Sequence, residues 1–157
     1  MRRKDREVTE EKRIDDIIES CQCCRVGLYD NGEIYIVPLD FGYENSLGKR
    51  TLYFHGAKSG RKAELIEKKP FAGFEMDVNH RLVKAEGACD HSSEFQSIIG
   101  SGRISVIEEE SEKEKAMNII MKKKTGMDNW EYDRRVLERT NLYKLEVEKI
   151  SCKEHIL

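Results

Sequence analysis

The sequence lacks long apolar runs, a strong charge of one sign and a paired set of cysteines, and each absence excludes a class of protein. No stretch reaches the ~18 apolar residues that a membrane-spanning helix needs. The net charge of −2 lacks the basic surplus of a general nucleic-acid binder. Five cysteines, an odd number, do not form a disulfide framework and suit a reducing compartment.

The sequence also shows no internal repeat, linker or low-complexity segment. Its 157 residues suffice for one well-buried core, so we expect a single domain over residues 1–157. The first six residues contain four cations, but no apolar segment follows them as it would in a signal peptide. We therefore expect a cytoplasmic protein, with no membrane and no nucleic acid among its partners.

The periodicity of apolar residues predicts a mainly β protein with a few helices. The predicted strands are residues 24–29, 33–43, 52–54, 71–78, 81–88, 95–108 and 142–150. The predicted helices are residues 10–20, about 61–69, 111 onward and 130–139. About seven short strands with few helices indicate an α+β fold around an antiparallel β-barrel.

Caps, turns and breaks between these elements follow from particular residues. Thr9 is the expected N-cap of the first helix, and Ser111 with Glu114 forms a capping-box pair. Turns are predicted at 30–32, 44–49 and 79–80. Gly100-Ser101-Gly102 predicts a bend or a close backbone approach inside its strand.

Residues 51–70 contain the clearest candidate for an anion site. A strand passes through a turn with Gly56 and Gly60 into a helix that begins near Arg61 and ends at Pro70. Three cations and one hydroxyl surround that turn: Lys58, Ser59, Arg61 and Lys62. A helix N-terminus favours an anion, and arginine adds a planar fork for phosphate oxygens. The stretch therefore predicts a phosphate site, with a solvated basic turn as the alternative.

His55 lies at the end of the same strand. A histidine there could hydrogen-bond a ligand or donate a proton, because imidazole changes charge near neutral pH. The alternative is a histidine with a structural role in the strand.

Pro38, one of two prolines in the chain, marks an irregular point in the predicted strand 33–43. Proline has no N–H for the ladder, so the position is an edge, a bulge or an opening for a ligand. If strand 33–43 lies beside strand 51–56, Val37-Pro38-Leu39 would contact a flat apolar ligand near His55. The alternative is an ordinary edge-strand proline.

Two further groups of residues could bind ligands. Gln96 and Ser97 could donate to carbonyl or phosphate oxygens, although polar residues at the start of a strand are common. The spacing C-x-C-C at 21–24 and the pair Cys89 and His91 fit no strong metal pattern, so we predict no metal site. A metal-linked redox protein remains a weaker alternative.

Three motifs carry a resemblance to a known family: V-P-L-D-F-G-Y at 37–43, L-Y-F-H-G-A-K-S-G-R-K-A-E-L at 52–65, and F-Q-S-I-I-G-S-G-R-I at 95–104. In this order and spacing they resemble the FMN-binding split-barrel proteins related to pyridoxamine 5′-phosphate oxidase. Within that group they are most similar to the 5-nitroimidazole-resistance branch. The resemblance covers nearly the whole chain.

The resemblance implies a split β-barrel homodimer with FMN at the subunit interface. Arg61 and Lys62, assisted by Lys58 and Ser59, would hold the phosphate. The remaining residues implied to contact the cofactor are Val37, Pro38, Leu39, Phe54, His55, Gly56, Ala57, Gln96 and Ser97. His55 matches the histidine proposed as the active-site residue in the nitroimidazole-resistance branch. The chain ends S-C-K-E-H-I-L, without the aromatic and arginine residues that hold pyridoxal phosphate in the oxidases, so vitamin B6 oxidation is not expected.

Together these features predict an FMN-dependent oxidoreductase of the nitroimidazole-reductase type, acting on a small aromatic substrate. In such enzymes the flavin performs the redox chemistry and the protein binds and orients the reactants. A flavin- or haem-binding carrier, store or sensor without turnover is the alternative, because no substrate-binding group is recognisable beyond His55.

Overall fold

The computed structural model describes residues 3–128 and 130–157, which form eight strands and four α-helices. The strands are β1 (Glu7–Val8), β2 (Cys24–Asp30), β3 (Glu33–Leu39), β4 (Gly42–Ser46), β5 (Lys49–Ala57), β6 (Phe71–Val83), β7 (Ser92–Val106) and β8 (Thr140–His155). The helices are α1 (Glu11–Ser20), α2 (Arg61–Lys68), α3 (Glu110–Thr125) and α4 (Arg134–Glu138). None of the helices in these ranges has the length and apolar character needed to cross a membrane.

All strand pairings are antiparallel, in the order β3-β2-β6-β7-β8-β5-β4. The short strand β1 pairs with the end of β8 that extends beyond β5. The consecutive strands β3 and β4 therefore lie at opposite ends of the sheet order. No ladder joins these two strands in the described part of the chain. The predicted α+β fold built on an antiparallel split barrel is confirmed.

Two groups of apolar side chains form the core. The larger group fills the barrel and includes one face of α1, where Ile14, Ile17 and Ile18 are buried. The smaller group lies under α3, where Ala116 and Ile120 pack with Leu142. The helix predicted from residue 111 onward therefore provides core residues at Ala116 and Ile120.

Three predicted boundaries are wrong. Residues 33–43 form two strands, because the chain leaves β3 at Asp40 and buries Phe41 completely before β4 begins. The turn predicted at 44–49 is confined to Leu47 and Gly48, both with positive φ. The turn predicted at 79–80 is a bulge inside a continuous β6, where the register shifts between Val78 and Arg81.

Two predicted helix caps are also wrong. Glu10, not Thr9, precedes α1 and makes no side-chain cap bond. The N-cap of α3 is Glu109, whose carboxylate accepts from the backbone N–H of Glu112 at 2.8 Å, so Ser111 and Glu114 do not form a capping box. A carboxylate at this position also interacts favourably with the positive end of the helix.

The close backbone approach predicted at residues 100–102 is confirmed. A Cβ at Gly102 would lie 1.9 Å from the carbonyl oxygen of Glu146, and the register with β8 shifts between Ser101 and Gly102. Only glycine allows β7 and β8 to pack this closely here.

Candidate functional site

The predicted phosphate cradle is a strand–turn–helix unit. β5 ends at Ala57, and α2 begins at Arg61 after a turn of three residues. Gly60 precedes the helix at φ +115°, a value that favours glycine, and no side chain caps the helix. The first N–H groups of α2 are therefore free of side-chain partners at the point where an anion would be stabilised.

Lys62 occupies a slot beside this turn. Its ammonium donates to the backbone carbonyl of His55 at 3.2 Å and lies 5.4 Å from the ring centre of Tyr143. A Cβ at Gly56 would lie 2.5 Å from Nζ of Lys62, so the slot depends on glycine. Burial lowers the pKa of Lys62. No carboxylate within residues 3–128 or 130–157 pairs with this ammonium, so it can bind an external anion.

Arg61 already forms an ion pair with a carboxylate of the same chain, so its guanidinium is not fully available to a phosphate. Its Nε and Nη2 lie 2.9 and 2.8 Å from the same oxygen of Asp30, and Nη2 lies 3.7 Å from the carboxylate of Glu33. The guanidinium carbon also lies 4.7 Å from the ring centre of Tyr35. The Nη1 group makes no hydrogen bond within the described chain, so one edge of the guanidinium can still bind an oxyanion.

The other members of the predicted cradle are accessible. His55, Ala57, Lys58 and Ser59 are exposed, and Gly56 is half-buried. His55 is placed by its ladder with β8, opposite Leu142. The structure therefore gathers the imidazole, the cations and the hydroxyl at one end of the β5–β8 pair.

The residues that the resemblance implies at the flavin ring differ from one another in exposure and in their position in the sheet. The side chain of Phe54 is fully buried in the barrel core, so it does not line an open surface. Pro38 is exposed on β3, which pairs with β2 and not with β5. Since β3 is an edge strand, where proline is tolerated, the ordinary edge-strand explanation is sufficient. Val37 and Leu39 are half-buried against the core.

Gln96 and Ser97 lie far from the cradle on the same chain. Gln96 pairs with Glu154 near one end of β8, whereas His55 pairs with Leu142 near the other end. Gln96 is buried, and its carbonyl oxygen accepts from the Asn79 side chain at 2.7 Å. Its amide donates to Glu154, which also pairs with Arg13.

The sequence reasoning missed the polar side chains that surround Gln96. Glu94 is buried there and pairs with Arg81, and both line a pocket together with His80. These residues are far apart in sequence and follow no motif. A sequence signal for Glu94 and Gln96 is that they alternate in phase with Ile98 along the strand, which places the three side chains on the same face of the sheet.

Three of the five cysteines are buried thiols of the core. Cys21, Cys24 and Cys152 are buried, and burial raises the pKa of Cys21 to about 12 and that of Cys152 to about 11. Thiols that stay protonated are poor nucleophiles and poor metal ligands. Among the described residues, no three metal-ligating side chains come together.

Comparison with solved structures identifies similar folds. The chain is 30% identical to a candidate 5-nitroimidazole antibiotic resistance protein from Bacteroides thetaiotaomicron, with a TM-score of 0.82 over 94% of this chain and 85% of that one. It is 20% identical to the flavocytochrome Anf3 from Azotobacter vinelandii, with a TM-score of 0.79 over 96% and 70% of the two chains. A FAD- and haem-binding protein from Mycobacterium smegmatis is 18% identical, with a TM-score of 0.78 over 95% and 73%.

A search of curated proteins finds no match. The family described as pyridoxamine 5′-phosphate oxidase matches residues 10–154, which include the barrel, the cradle and the pocket around Gln96. The chain therefore belongs to the pyridoxamine 5′-phosphate oxidase-like family.

Proposed function

We propose that the protein is a cytoplasmic FMN-binding oxidoreductase of the 5-nitroimidazole-reductase type that acts on a small aromatic substrate. The observation that carries this proposal is the unpaired ammonium of Lys62, held in the Gly56 slot beside an uncapped helix N-terminus. A monoester phosphate is the group that this combination of cations, hydroxyl and free N–H groups suits best.

The residues of the cradle fit the phosphate end of FMN. Lys62 would supply the unpaired cation, Arg61 its free Nη1 edge, and Ser59 a hydroxyl at the turn. Bound FMN would supply the electron-transfer chemistry, and the protein would bind, orient and shield the reactants. His55, with its ring exposed and its carbonyl fixed by Lys62, is proposed to orient the substrate or donate a proton to it.

A homodimer with FMN at its interface is part of the proposal. On one chain, the cradle and the Gln96-Ser97 segment lie at opposite ends of β8. A second copy could bring its Gln96 to the cradle of the first. Similarity to the candidate nitroimidazole-resistance protein supports this reaction type over vitamin B6 oxidation.

Lys62→Ala tests the cradle. Loss of a charge-assisted contact to phosphate should weaken FMN binding by about tenfold or more. Lys68→Ala is the matched control, because Lys68 is an exposed lysine at the other end of α2 and should leave the affinity unchanged. Fluorescence titration measures the affinity. A wild-type protein that is colourless and gains no thermal stability from added FMN would refute the proposal.

A second candidate function is a flavin- or haem-binding carrier or sensor. The FAD- and haem-binding protein and the flavocytochrome of similar fold favour it. So does the absence, from the described residues, of a recognisable substrate-binding group beyond His55. Anaerobic photoreduction separates the two candidates. Reoxidation by nitroimidazoles, slowed in His55→Ala, supports the enzyme, whereas reoxidation by oxygen alone supports the carrier.

A further inference from the structure

A pocket of about 320 Å³ lies at the C-terminal end of α2, whereas the cradle lies at the N-terminal end of the same helix. Its walls come from the end of α2, the segment that joins this helix to β6, and the strands β7 and β8. The lining residues are Lys68, Lys69, Pro70, Phe71, Arg103 and Glu148. None of these six residues belongs to the FMN site proposed above.

The pocket opens on the outer face of the sheet. The carbonyl of Pro70 accepts from the backbone N–H of Ile104 at 3.2 Å, which fixes the segment after α2 beside β7. Phe71 lies directly opposite Arg103 in the β6–β7 ladder, so these two side chains share one face. Both are exposed, whereas the residues that follow them, Ala72 and Ile104, are buried in the barrel.

Three cations at this opening have no carboxylate partner. Within residues 3–128 and 130–157, Lys68, Lys69 and Arg103 make no ion pair and no side-chain hydrogen bond, and the Lys69 ammonium lies 4.0 Å from the ring centre of Tyr29. The three cations and the one carboxylate, that of Glu148, leave the pocket a net charge of +2. A phosphate monoester carries about two negative charges at neutral pH and matches this charge.

Phe71 and Pro70 form the apolar wall of the pocket. Phe71 is 51% exposed, which is a large exposure for an aromatic side chain. An exposed aromatic ring beside unpaired cations suits a nucleotide, because the base can stack on the ring while the phosphate binds the cations. A volume of 320 Å³ lies at the lower end of the range for ligand sites, so it fits a mononucleotide better than a larger ligand.

Glu148 is directed by a bulge in β8. The adjacent residues Ser101 and Gly102 of β7 pair with Lys149 and Val147 of β8, so Glu148 has no partner in this ladder. Bulges of this kind redirect side chains and are frequent beside binding sites. In the described part of the chain the Glu148 carboxylate forms no ion pair, although three cations line the same pocket. Carboxylates accept from the exocyclic amino groups of bases, and Glu148 can bind such a group.

We propose that this pocket binds a free nucleoside monophosphate whose base carries an amino group, such as AMP or CMP. The base stacks on Phe71, its amino group donates to Glu148, and the phosphate binds Arg103 and the two lysines. This site is separate from the cradle, and it does not depend on the proposed function.

Calorimetric titration with AMP tests the site, and IMP is the matched ligand because it has a carbonyl in place of the amino group. The wild type should bind AMP about tenfold more tightly than IMP, since IMP gives the carboxylate no donor at that position. Glu148→Gln should abolish the preference, because an amide both donates and accepts. An AMP-to-IMP ratio that Glu148→Gln leaves unchanged would overturn the role of Glu148.

Arg103→Gln and Phe71→Leu should each weaken AMP binding about tenfold, because they remove the guanidinium fork and the stacking ring. Both residues are exposed, so neither change removes a core contact. Lys49→Ala is the control, because it removes an exposed lysine at the start of β5. AMP affinity that neither Arg103→Gln nor Phe71→Leu alters would refute the site.

Lysines at the two ends of α2 separate this site from the cradle. Lys68→Ala should weaken AMP binding about threefold without changing FMN affinity, and Lys62→Ala should do the reverse. AMP binding lost in Lys62→Ala but kept in Arg103→Gln would place AMP in the cradle and overturn the inference without refuting FMN binding. Inorganic phosphate that binds as tightly as AMP would exclude the ring contact. Tighter binding of NAD⁺ than of AMP would exclude a free monoester as the ligand.

Discussion

Gly56 leaves room for a cation, because it has no side chain where the Lys62 ammonium lies. Lys62 is held over Tyr143 because no Cβ stands at position 56. The Lys62 ammonium has no carboxylate partner among the described residues, and its position near the uncapped helix end is the basis of the proposed phosphate contact.

Gly56→Ala should displace the Lys62 ammonium, because the new methyl group would lie 2.5 Å from Nζ. The lysine end is flexible, so we expect unfolding free energy to change by less than about 1 kcal/mol while FMN affinity falls about three- to tenfold. Calorimetric titration and thermal unfolding measure the two effects. Lys68→Ala is the control, because it removes an exposed lysine at the other end of α2 and leaves the slot intact. Unchanged affinity in Gly56→Ala would show that the slot does not position the cation.

At the scale of elements, the β2–β3 hairpin supports the start of α2. Asp30 and Tyr35, one from each strand, hold two sides of the Arg61 guanidinium. The two elements are separated by about thirty residues of sequence, and this contact orients the guanidinium with its Nη1 group free.

Asp30→Ala and Glu33→Ala should have different effects on FMN affinity. Asp30 accepts hydrogen bonds from Arg61 and positions it, so its loss should weaken binding about threefold although a negative charge is removed. Glu33 lies 3.7 Å from Arg61 without a hydrogen bond, so its loss should leave binding equal or stronger. In an Arg61→Ala background Asp30→Ala should have no further weakening effect. Tighter binding in both single variants would mean that Asp30 only competes with the phosphate.

The attachment of α1 to the barrel depends on ionised Asp15. Burial raises the pKa of Asp15, but hydrogen bonds from Tyr43, Asn45 and Arg50 outweigh burial and lower the pKa below its ordinary value. A carboxyl whose pKa is lower in the folded state stabilises the fold above its unfolded pKa, about 3.9, and that stability is lost as pH falls through the folded pKa.

Asp15→Asn should therefore destabilise the protein at pH 7 and reduce the loss of stability seen on acidification below about pH 4. Urea unfolding at several pH values measures both. Asp16→Asn is the control, because Asp16 is an exposed neighbour whose ion pair is with the exposed Lys12. Parallel pH profiles for wild type and Asp15→Asn would contradict the role of Asp15.

At the scale of the whole molecule, the outer face of β3 is unusually apolar. Ile34 and Ile36 are 64% and 62% exposed, and they line a groove with Gly27, Gly73 and Phe74 beside the ion pair of Arg25 and Glu75. Exposed apolar patches of this kind mark interaction surfaces, and a homodimer is the assembly proposed above.

Ile36→Lys should convert a dimer into a monomer, because a charge would be buried at the contact. Size-exclusion chromatography with light scattering measures the mass. Val136→Lys places the same charge on another exposed apolar position, in α4, and should not change the mass. A variant Ile36→Lys that elutes with the mass of the wild type would exclude this face as the dimer contact.

Sequence patterns predicted the fold class, the 51–70 unit and most strands because alternation and turn chemistry are local. They did not predict the burial of Phe54, since Leu52, Tyr53 and Phe54 are all buried and β5 has no alternating face. The bulge at Asn79 and the break at Phe41 also depend on packing between distant segments. The cluster around Gln96 draws on four separate stretches of the chain, which no local pattern joins.

The last strand of the described chain, β8, pairs with β1, β5 and β7. During synthesis, His55 and the slot for Lys62 have no neighbouring strand until residues 140–143 leave the ribosome. Long-range pairings of this kind fold slowly and leave unpaired strand edges in the incomplete chain. FMN added during translation should therefore not stabilise nascent chains that stop before β8, and such chains should need chaperones to remain unaggregated.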